Sequence, residues 1–231
     1  MHSFVVIASK TDQPVDPLLL ARVDDPDPTE LHFVPEEYLT WSNACGTVHF
    51  FGWQAFTDQH GIGSHWHRDE AGLTAFSGHV WPRYSGWDWG GASWAQQLRD
   101  YFAHADIVEA PEDLYGIFTA VSIPADGRGH IISDRFSLGI LYIAETPDAL
   151  IISTRSSLAA RAVTAPGVLP SRDVFGVGWL PATTQTRTLD TGFTEVKAIP
   201  PMAHVLLDPS VGGRIVELDR WYWEFPNQDE I

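Results

Sequence analysis

The stretch YGIFTAVSIPADGRGHIISDRFSLGILYIAETPDALIISTRSSLAARAV (115–163) decides the fold class. It contains four short apolar segments rich in β-branched residues, which is typical of buried strands. Asp126-Gly127 is a tight-turn signal between the first two segments. Several strands joined in this way favour an α+β fold or a two-sheet sandwich over alternating βαβ units. The strands are predicted at 115–123, 129–135, 139–145 and 149–155.

The rest of the chain extends this strand-rich pattern. HSFVVIAS (2–9) reads as a buried first strand, and the Pro- and Asp-rich residues 11–40 as a surface loop with one short helix. The clearest helix is SWAQQLRDYFAHA (93–105), which carries an apolar face at helical spacing and begins at a possible N-cap, Ser93. Further strands are predicted at 46–56, 72–81 and twice within 193–208, and short helices at 156–163 and 172–180.

Composition sets limits on function. The chain has 231 residues, enough for one globular domain over 1–231, and 30 acidic against 14 basic residues give a net charge of −16. Such a surface repels phosphate backbones, which argues against a nucleic-acid partner. No run is long enough to cross a bilayer, so no membrane association is expected. Cys45 is the single cysteine, which excludes an intrachain disulfide and fits a cytoplasmic protein.

Several segments, taken in order, resemble one known family. ISDRFSLGILYIAE (132–145) is similar to its Arg-Asp-Arg-x-Gly-x-x-Pro-Leu-Tyr-Tyr signature, and AGLTAFSGHVW (71–81) stands where that family has a strand ending in Asn-Gly-Glu. LYGIFTAVSI (114–123) and the closing stretch 186–208 add to the likeness. This is the glutaminase domain of the asparagine synthetase family, whose relatives include β-lactam synthetase and the lasso-peptide cyclases. The matching residues are Asp134, Arg135, Gly139, Leu141 and Tyr142, then Phe193, Val196, Ile199, Pro200, Pro201 and His204.

The resemblance implies a fold and an ancestral chemistry. The fold is of the N-terminal nucleophile type, a four-layer αββα sandwich with two antiparallel sheets. In active members a cysteine follows the initiating methionine, and its own α-amino group takes the thiol proton. Here that position holds His2, whose imidazole cannot form a stable thioester. The family's oxyanion-hole pair corresponds to Ser77-Gly78, and the next residue is His79.

These departures define a degenerate pocket of His2, Ser77, Gly78 and His79, and predict a pseudoenzyme without glutaminase activity. VHFFGW (48–53) also lacks the arginine that the family uses to grip the substrate carboxylate. No cofactor is expected. The family's second domain adenylates a carboxylate, but its Ser-Gly-Gly-x-Asp-Ser pyrophosphate loop is absent from the sequence. We therefore expect the partner to be a synthetase domain or subunit of an ATP-dependent amide ligase, as in natural-product biosynthesis.

Two other functions stay open at the level of sequence. CGTVHFFGW (45–53) is similar to the family's mature start, so self-processing after Ala44 would expose Cys45 as a nucleophile and give an active amidotransferase. Alternatively, Trp81, Trp87 and Trp89 around a Gly-rich loop would form a surface for a peptide or partner in a stand-alone binding module.

Histidines near the middle of the chain have the ligand types of a metal site. His60, His65, His67 and Asp69 lie close in sequence, with His49 and His79 as further candidates. His65 and His67 are two residues apart and would share one face of a strand. No helical HExxH pattern accompanies them, so solvated or hydrogen-bonding roles are favoured and no metal is predicted.

Overall fold

A computed structural model describes residues 2–55, 64–82, 93–104, 114–134, 139–172, 191–199, 204–208 and 214–216. None of the described helices is both long and apolar enough to span a membrane. The strands are β1 (His2–Ser9), β2 (Glu37–Ser42), β3 (Val48–Gln54), β4 (Trp66–Asp69), β5 (Gly72–Pro82), β6 (Leu114–Pro124), β7 (Gly129–Ser133), β8 (Tyr142–Glu145), β9 (Ala149–Ser153), β10 (Val196–Ala198), β11 (His204–Leu207) and β12 (Arg214–Val216). The helices are α1 (Pro17–Val23), α2 (Pro28–Leu31), α3 (Trp94–His104) and α4 (Ser156–Val163).

The strands form two six-stranded sheets, and every pairing is antiparallel. The first has the order β10-β8-β9-β1-β3-β2, and the second the order β12-β11-β7-β6-β5-β4. The first strand of the chain therefore lies inside its sheet, between β9 and β3. The α+β fold with two antiparallel sheets predicted from the sequence is confirmed.

Three buried apolar clusters show how the layers stack. One lies between the sheets and joins Phe4 and Phe50 of the first sheet to Leu73 and Ile131 of the second. Another packs the outer face of the first sheet on α1, α2 and α4, and a third packs the outer face of the second sheet on α3. Two sheets face to face with helices outside each make a four-layer αββα sandwich. Each fully buried large side chain in these clusters contributes about 2 kcal/mol of hydrophobic stabilisation.

The sequence prediction for residues 11–40 was wrong, because this segment is more ordered than a loop with one helix. It contains α1 and α2, each begun by an aspartate that caps the helix ahead of a proline, and the start of β2. Leu39 is the one buried residue of β2, and the strand is held at the sheet edge by pairing with β3. Most of its residues are exposed, so the strand does not form the continuous apolar segment from which the other strands were predicted. The helix predicted at 172–180 lies outside the described residues, apart from Arg172.

Gly78 occupies a position that only glycine fits, which yields a test of the packing between β5 and β6. Its φ is +91°, and a Cβ there would lie 2.0 Å from the carbonyl oxygen of Ile117. We expect Gly78→Ala to lower the free energy of unfolding by at least about 3 kcal/mol in urea denaturation. Gly167→Ala is the matched control, because φ is +77° but nothing lies within 4 Å of the added carbon. Its loss should stay near 1 kcal/mol, and equal losses would contradict the steric argument.

Candidate functional site

The start of β1 places His2 at one end of the space between the sheets. His2 lies opposite Gln54 in the pairing of β1 with β3. Successive side chains of a strand point to opposite faces, so His2 shares a face with Phe4 and Val6, which pack between the sheets. His2 is 4% exposed. The inter-sheet face of β1 is therefore apolar except at its first residue, where the imidazole of His2 lies.

Hydrogen bonding fixes the tautomer of His2. Its Nδ1 lies against the carbonyl oxygen of Phe76 on β5. A carbonyl only accepts, so Nδ1 carries the proton and Nε2 keeps a lone pair. Nε2 is buried and has no hydrogen-bond partner among the described residues. Burial, helped by the nearby His65, holds the pKa of His2 well below its usual value, so the ring is neutral at pH 7.

A second buried histidine packs beside the first. The ring centroids of His65 and His2 are 5.3 Å apart, and His65 also contacts the ring of Phe76 at 4.8 Å. Gln54 Oε1 accepts from the backbone N–H of His65 at 3.0 Å and lies 3.2 Å from its Nδ1. Burial lowers the pKa of His65 to about 4, and the nearby His79 adds to the effect. Both rings are therefore neutral in a buried, partly polar setting.

Ser77 and Gly78 reach the same place from β5. The Ser77 hydroxyl donates to the backbone carbonyl of His2 at 2.7 Å, which ties the second sheet to the start of the first. Beside this contact is a cavity of about 190 Å³. The residues around it come from β1, β5 and β6 and from the segments that flank β8 and β9: His2, Ser77, Gly78, Ile117, Thr119, Gly139, Ile140, Thr154 and Arg155.

Of the other residues predicted from the family resemblance, some line the cavity and others lie outside it. His79 is exposed and does not line the cavity. Gly139 does line the cavity. Its N–H donates to the carboxylate of the buried Asp134, and this hydrogen bond holds Gly139 in place. Tyr142 is half-buried on β8, where burial raises its pKa. Arg135 lies outside the described residues.

The tryptophans proposed as a partner surface are only partly described. Trp81 is 40% exposed on β5, which agrees with a surface position. Trp87 and Trp89 lie outside the described residues. Trp94, the next tryptophan along the chain, is buried against Phe76 in the cluster beneath α3 and belongs to the core.

Cys45, the alternative nucleophile, lies away from the cavity. It is exposed in the turn that precedes β3. Ala8, near the end of β1, pairs with Val48, so Cys45 is at the opposite end of β1 from His2. Six residues of extended strand put these ends roughly 20 Å apart. Cleavage after Ala44 would remove β1 from the middle of its sheet.

The histidines considered as metal ligands are dispersed where the structure describes them. His65 is hydrogen-bonded to Gln54, whereas His67 on β4 lies 3.6 Å from the carboxylate of Asp69. His49 is 3.0 Å from the carbonyl oxygen of Gly46. No group of three or more potential ligands comes together within the described ranges. His60 falls outside them.

Sequence reasoning missed five residues of the cavity, of which three are polar. Thr119 on β6 is 2% exposed, and its hydroxyl has no partner among the described residues. The hydroxyl oxygen of Thr154 accepts a hydrogen bond from the backbone N–H of Phe4 at 3.0 Å. Arg155 precedes α4, and its Nε donates to Ser3 Oγ at 3.1 Å. A charged residue two positions after the buried strand ALIIS was the one available signal.

Comparison with known proteins gives a distant likeness. No family model matches the sequence, and no curated protein matches it. Among solved structures the chain is similar to glutamine phosphoribosylpyrophosphate (PRPP) amidotransferase from B. subtilis, complexed with ADP and GMP, at 11% identity and a TM-score of 0.47. The match covers 95% of this chain, which spans 43% of the length of that protein. So remote a likeness carries no argument about function, and the architecture described above rests on its own sheets and clusters.

Burial of His65 makes the stability of the protein depend on pH. In the unfolded chain the imidazole of His65 has a pKa near 6.5, whereas in the folded chain its pKa is about 4. Stability is therefore full above pH 6.5 and falls as the pH drops towards 4. Between pH 7 and pH 5 this group should remove about 2 kcal/mol from the free energy of unfolding; His65→Gln should remove this share and leave the share that the buried His2 contributes.

Chemical denaturation at a series of pH values measures this effect. The matched control is His67→Gln, which removes a partly exposed histidine from the adjoining strand. Because burial causes the effect, the control should keep the pH dependence of the wild type. A His65→Gln variant with an unchanged slope would show that another group is responsible.

Proposed function

We propose that this chain is a degenerate, non-catalytic glutamine amidotransferase-like domain that serves as a scaffold for a synthetase domain or subunit of an ATP-dependent amide-forming enzyme. The observation that carries the proposal is the residue at the head of β1. A family member with glutaminase activity needs a cysteine there, and this chain has His2, buried with Nδ1 bonded to a backbone carbonyl.

The chemistry around His2 supports a loss of acyl transfer. A covalent mechanism needs a nucleophile activated by a nearby base. The cavity offers hydroxyls from Ser77, Thr119 and Thr154. The one lone pair suited to act as base, Nε2 of His2, has no hydrogen-bond partner in the described part of the chain. The hydroxyls of Ser77 and Thr154 are engaged with the backbone of His2 and Phe4, and the Thr119 hydroxyl is not hydrogen-bonded to Nε2 of His2.

The proposed partner follows from the resemblance to the asparagine synthetase family. The segments 71–81, 114–123, 132–145 and 186–208 carry that resemblance in order. The sequence lacks the family's pyrophosphate loop, so the adenylating step is assigned to a separate domain or subunit. A relative that has lost its glutaminase uses an internal or separately supplied amine, as β-lactam synthetase does. The proposal includes a cytoplasmic setting, in keeping with the single cysteine.

Intact mass measured together with glutamine hydrolysis tests the loss of catalysis. We expect an unprocessed chain that releases no glutamate above background, because no thiolate stands at the head of β1. Cys45→Ala is the control and should behave identically. Release of glutamate by a chain that begins at Cys45, with the release abolished in Cys45→Ala, would establish the active amidotransferase instead.

Affinity purification from the native source tests the scaffold role. The expected partner is a polypeptide with a Ser-Gly-Gly-x-Asp-Ser loop, identified by mass spectrometry, that acquires ATP-dependent amide ligation when mixed with this chain. ATP turnover that depends on an acyl substrate in the isolated chain would contradict the assignment. Retention of a peptide without any synthetase, lost on Trp81→Ala, would favour the stand-alone binding module, which the exposure of Trp81 makes testable.

A further inference from the structure

A groove on the helix-covered side of the first sheet lies between α1 and the edge strand β2. Its volume is about 440 Å³, within the range of about 300–1,000 Å³ that is usual for small-molecule sites. Thr40 and Ser42 line it from the helix-facing side of β2, because they alternate with Leu39, which packs between the sheets. Both side chains are small and leave the space open, whereas Tyr38, two residues before Thr40 on the same face, stacks its ring on Trp53.

Apolar side chains form a large part of this groove. Leu20 and Ala21 come from α1, and Trp41 and Phe51 come from the neighbouring strands β2 and β3. Phe51 is buried and Trp41 is partly buried, so each ring contributes only part of its surface to the groove. In small-molecule sites, walls of this kind contact the apolar part of the ligand, and a few polar groups fix its orientation.

Asp24 gives the groove a carboxylate that is held in place. The Tyr38 hydroxyl donates a hydrogen bond to this carboxylate. Burial, together with the hydrogen bond to Asp24, raises the pKa of Tyr38, so the phenol stays protonated and continues to donate. Asp24 is exposed, and a carboxylate has about four acceptor sites, of which this bond uses one. The carboxylate therefore retains acceptor sites that a ligand can reach.

No positive charge opposes a cation in this groove. There is no lysine or arginine among the described residues that line it. His49 does line the groove, but burial lowers its pKa, so the imidazole is neutral at pH 7. Arg68 of β4 lies 3.5 Å from the carbonyl oxygen of Thr40 and does not line the groove. The ligand that complements this groove is therefore a cation with hydrogen-bond donors and an apolar body.

We propose that this groove binds a small organic amine, with the ammonium group on the carboxylate of Asp24 and the apolar part against Trp41 and Phe51. Charge complementarity favours this ligand, and the net charge of −16 raises the concentration of cations near the surface. None of the residues that line the groove also lines the cavity beside His2. Binding of the amine requires neither a lost glutaminase nor a synthetase partner, so its test is separate from those of the proposed function.

Titration of the full chain with 2-phenylethylamine, followed by ¹⁵N NMR of the tryptophan indole N–H groups, tests the site. We expect a saturable shift of the Trp41 resonance, assigned by its absence in Trp41→Phe, with a Kd of about 1 mM. 2-Phenylethanol keeps the apolar body and lacks the charge, so it should bind about fivefold more weakly, because an exposed ion pair contributes little more than that. Ethylamine keeps the charge and lacks the ring, and the lost apolar burial should weaken it by at least about tenfold.

Variants separate the ion pair from the shape of the groove. Asp24→Asn removes the charge but keeps an oxygen that accepts from Tyr38, so the fold should be retained. It should weaken 2-phenylethylamine about fivefold and leave 2-phenylethanol unchanged, so that the two bind equally. Asp126→Asn is the matched control, because it removes the same charge from an exposed turn between β6 and β7, and both affinities should stay unchanged. Thr40→Phe fills the groove and should weaken both ligands by at least about tenfold.

Several outcomes would overturn the proposal. They are the absence of a saturable shift of Trp41 in the wild type, equal binding of amine and alcohol by the wild type, and an undiminished preference for the amine in a folded Asp24→Asn protein. An equal loss of amine affinity in Asp126→Asn would also overturn it, because that result would show a general attraction of cations to the acidic surface.

Discussion

The burial of β1 on both of its faces is the constraint on which the rest of the structure depends. Alternate side chains of this strand pack into two different cores, Phe4 and Val6 between the sheets and Val5 and Ile7 against the helices. A strand buried on both faces has one register, because a shift by one residue would exchange the two sets. That register fixes His2 at the end of the inter-sheet space, opposite Gln54.

The first residue of β1 is held by hydrogen bonds, whereas the rest of the strand is held by apolar packing. Two residues of β5 contact His2: the Ser77 hydroxyl donates to its backbone carbonyl, and the Phe76 carbonyl accepts from its Nδ1. A close backbone contact between the layers accompanies this connection, because a Cβ at Gly139, just before β8, would strike the carbonyl oxygen of Phe118 on β6. The two sheets therefore meet tightly around His2 while a small polar cavity persists beside it. A position optimised only for stability would have filled that space with apolar side chains.

The pocket beside His2 is lined by residues of both sheets. An imidazole stands at the head of β1, and the residues around the pocket include Arg155. The same imidazole is neutral, and its tautomer is set by a neighbouring carbonyl, so it presents a lone pair instead of a charge.

The sequence by itself determined the strand-rich α+β class and the position of His2, because compact apolar segments and chain order are local properties that read directly as strands. It also indicated Ser77 and Gly78 as neighbours of His2, through the family resemblance. Only the tertiary structure decided that β2 is an edge strand, that His65 packs on His2, and that Thr119 and Arg155 share their cavity. These residues lie far apart along the chain, and their proximity follows from how two sheets stack, which no local pattern of residues encodes.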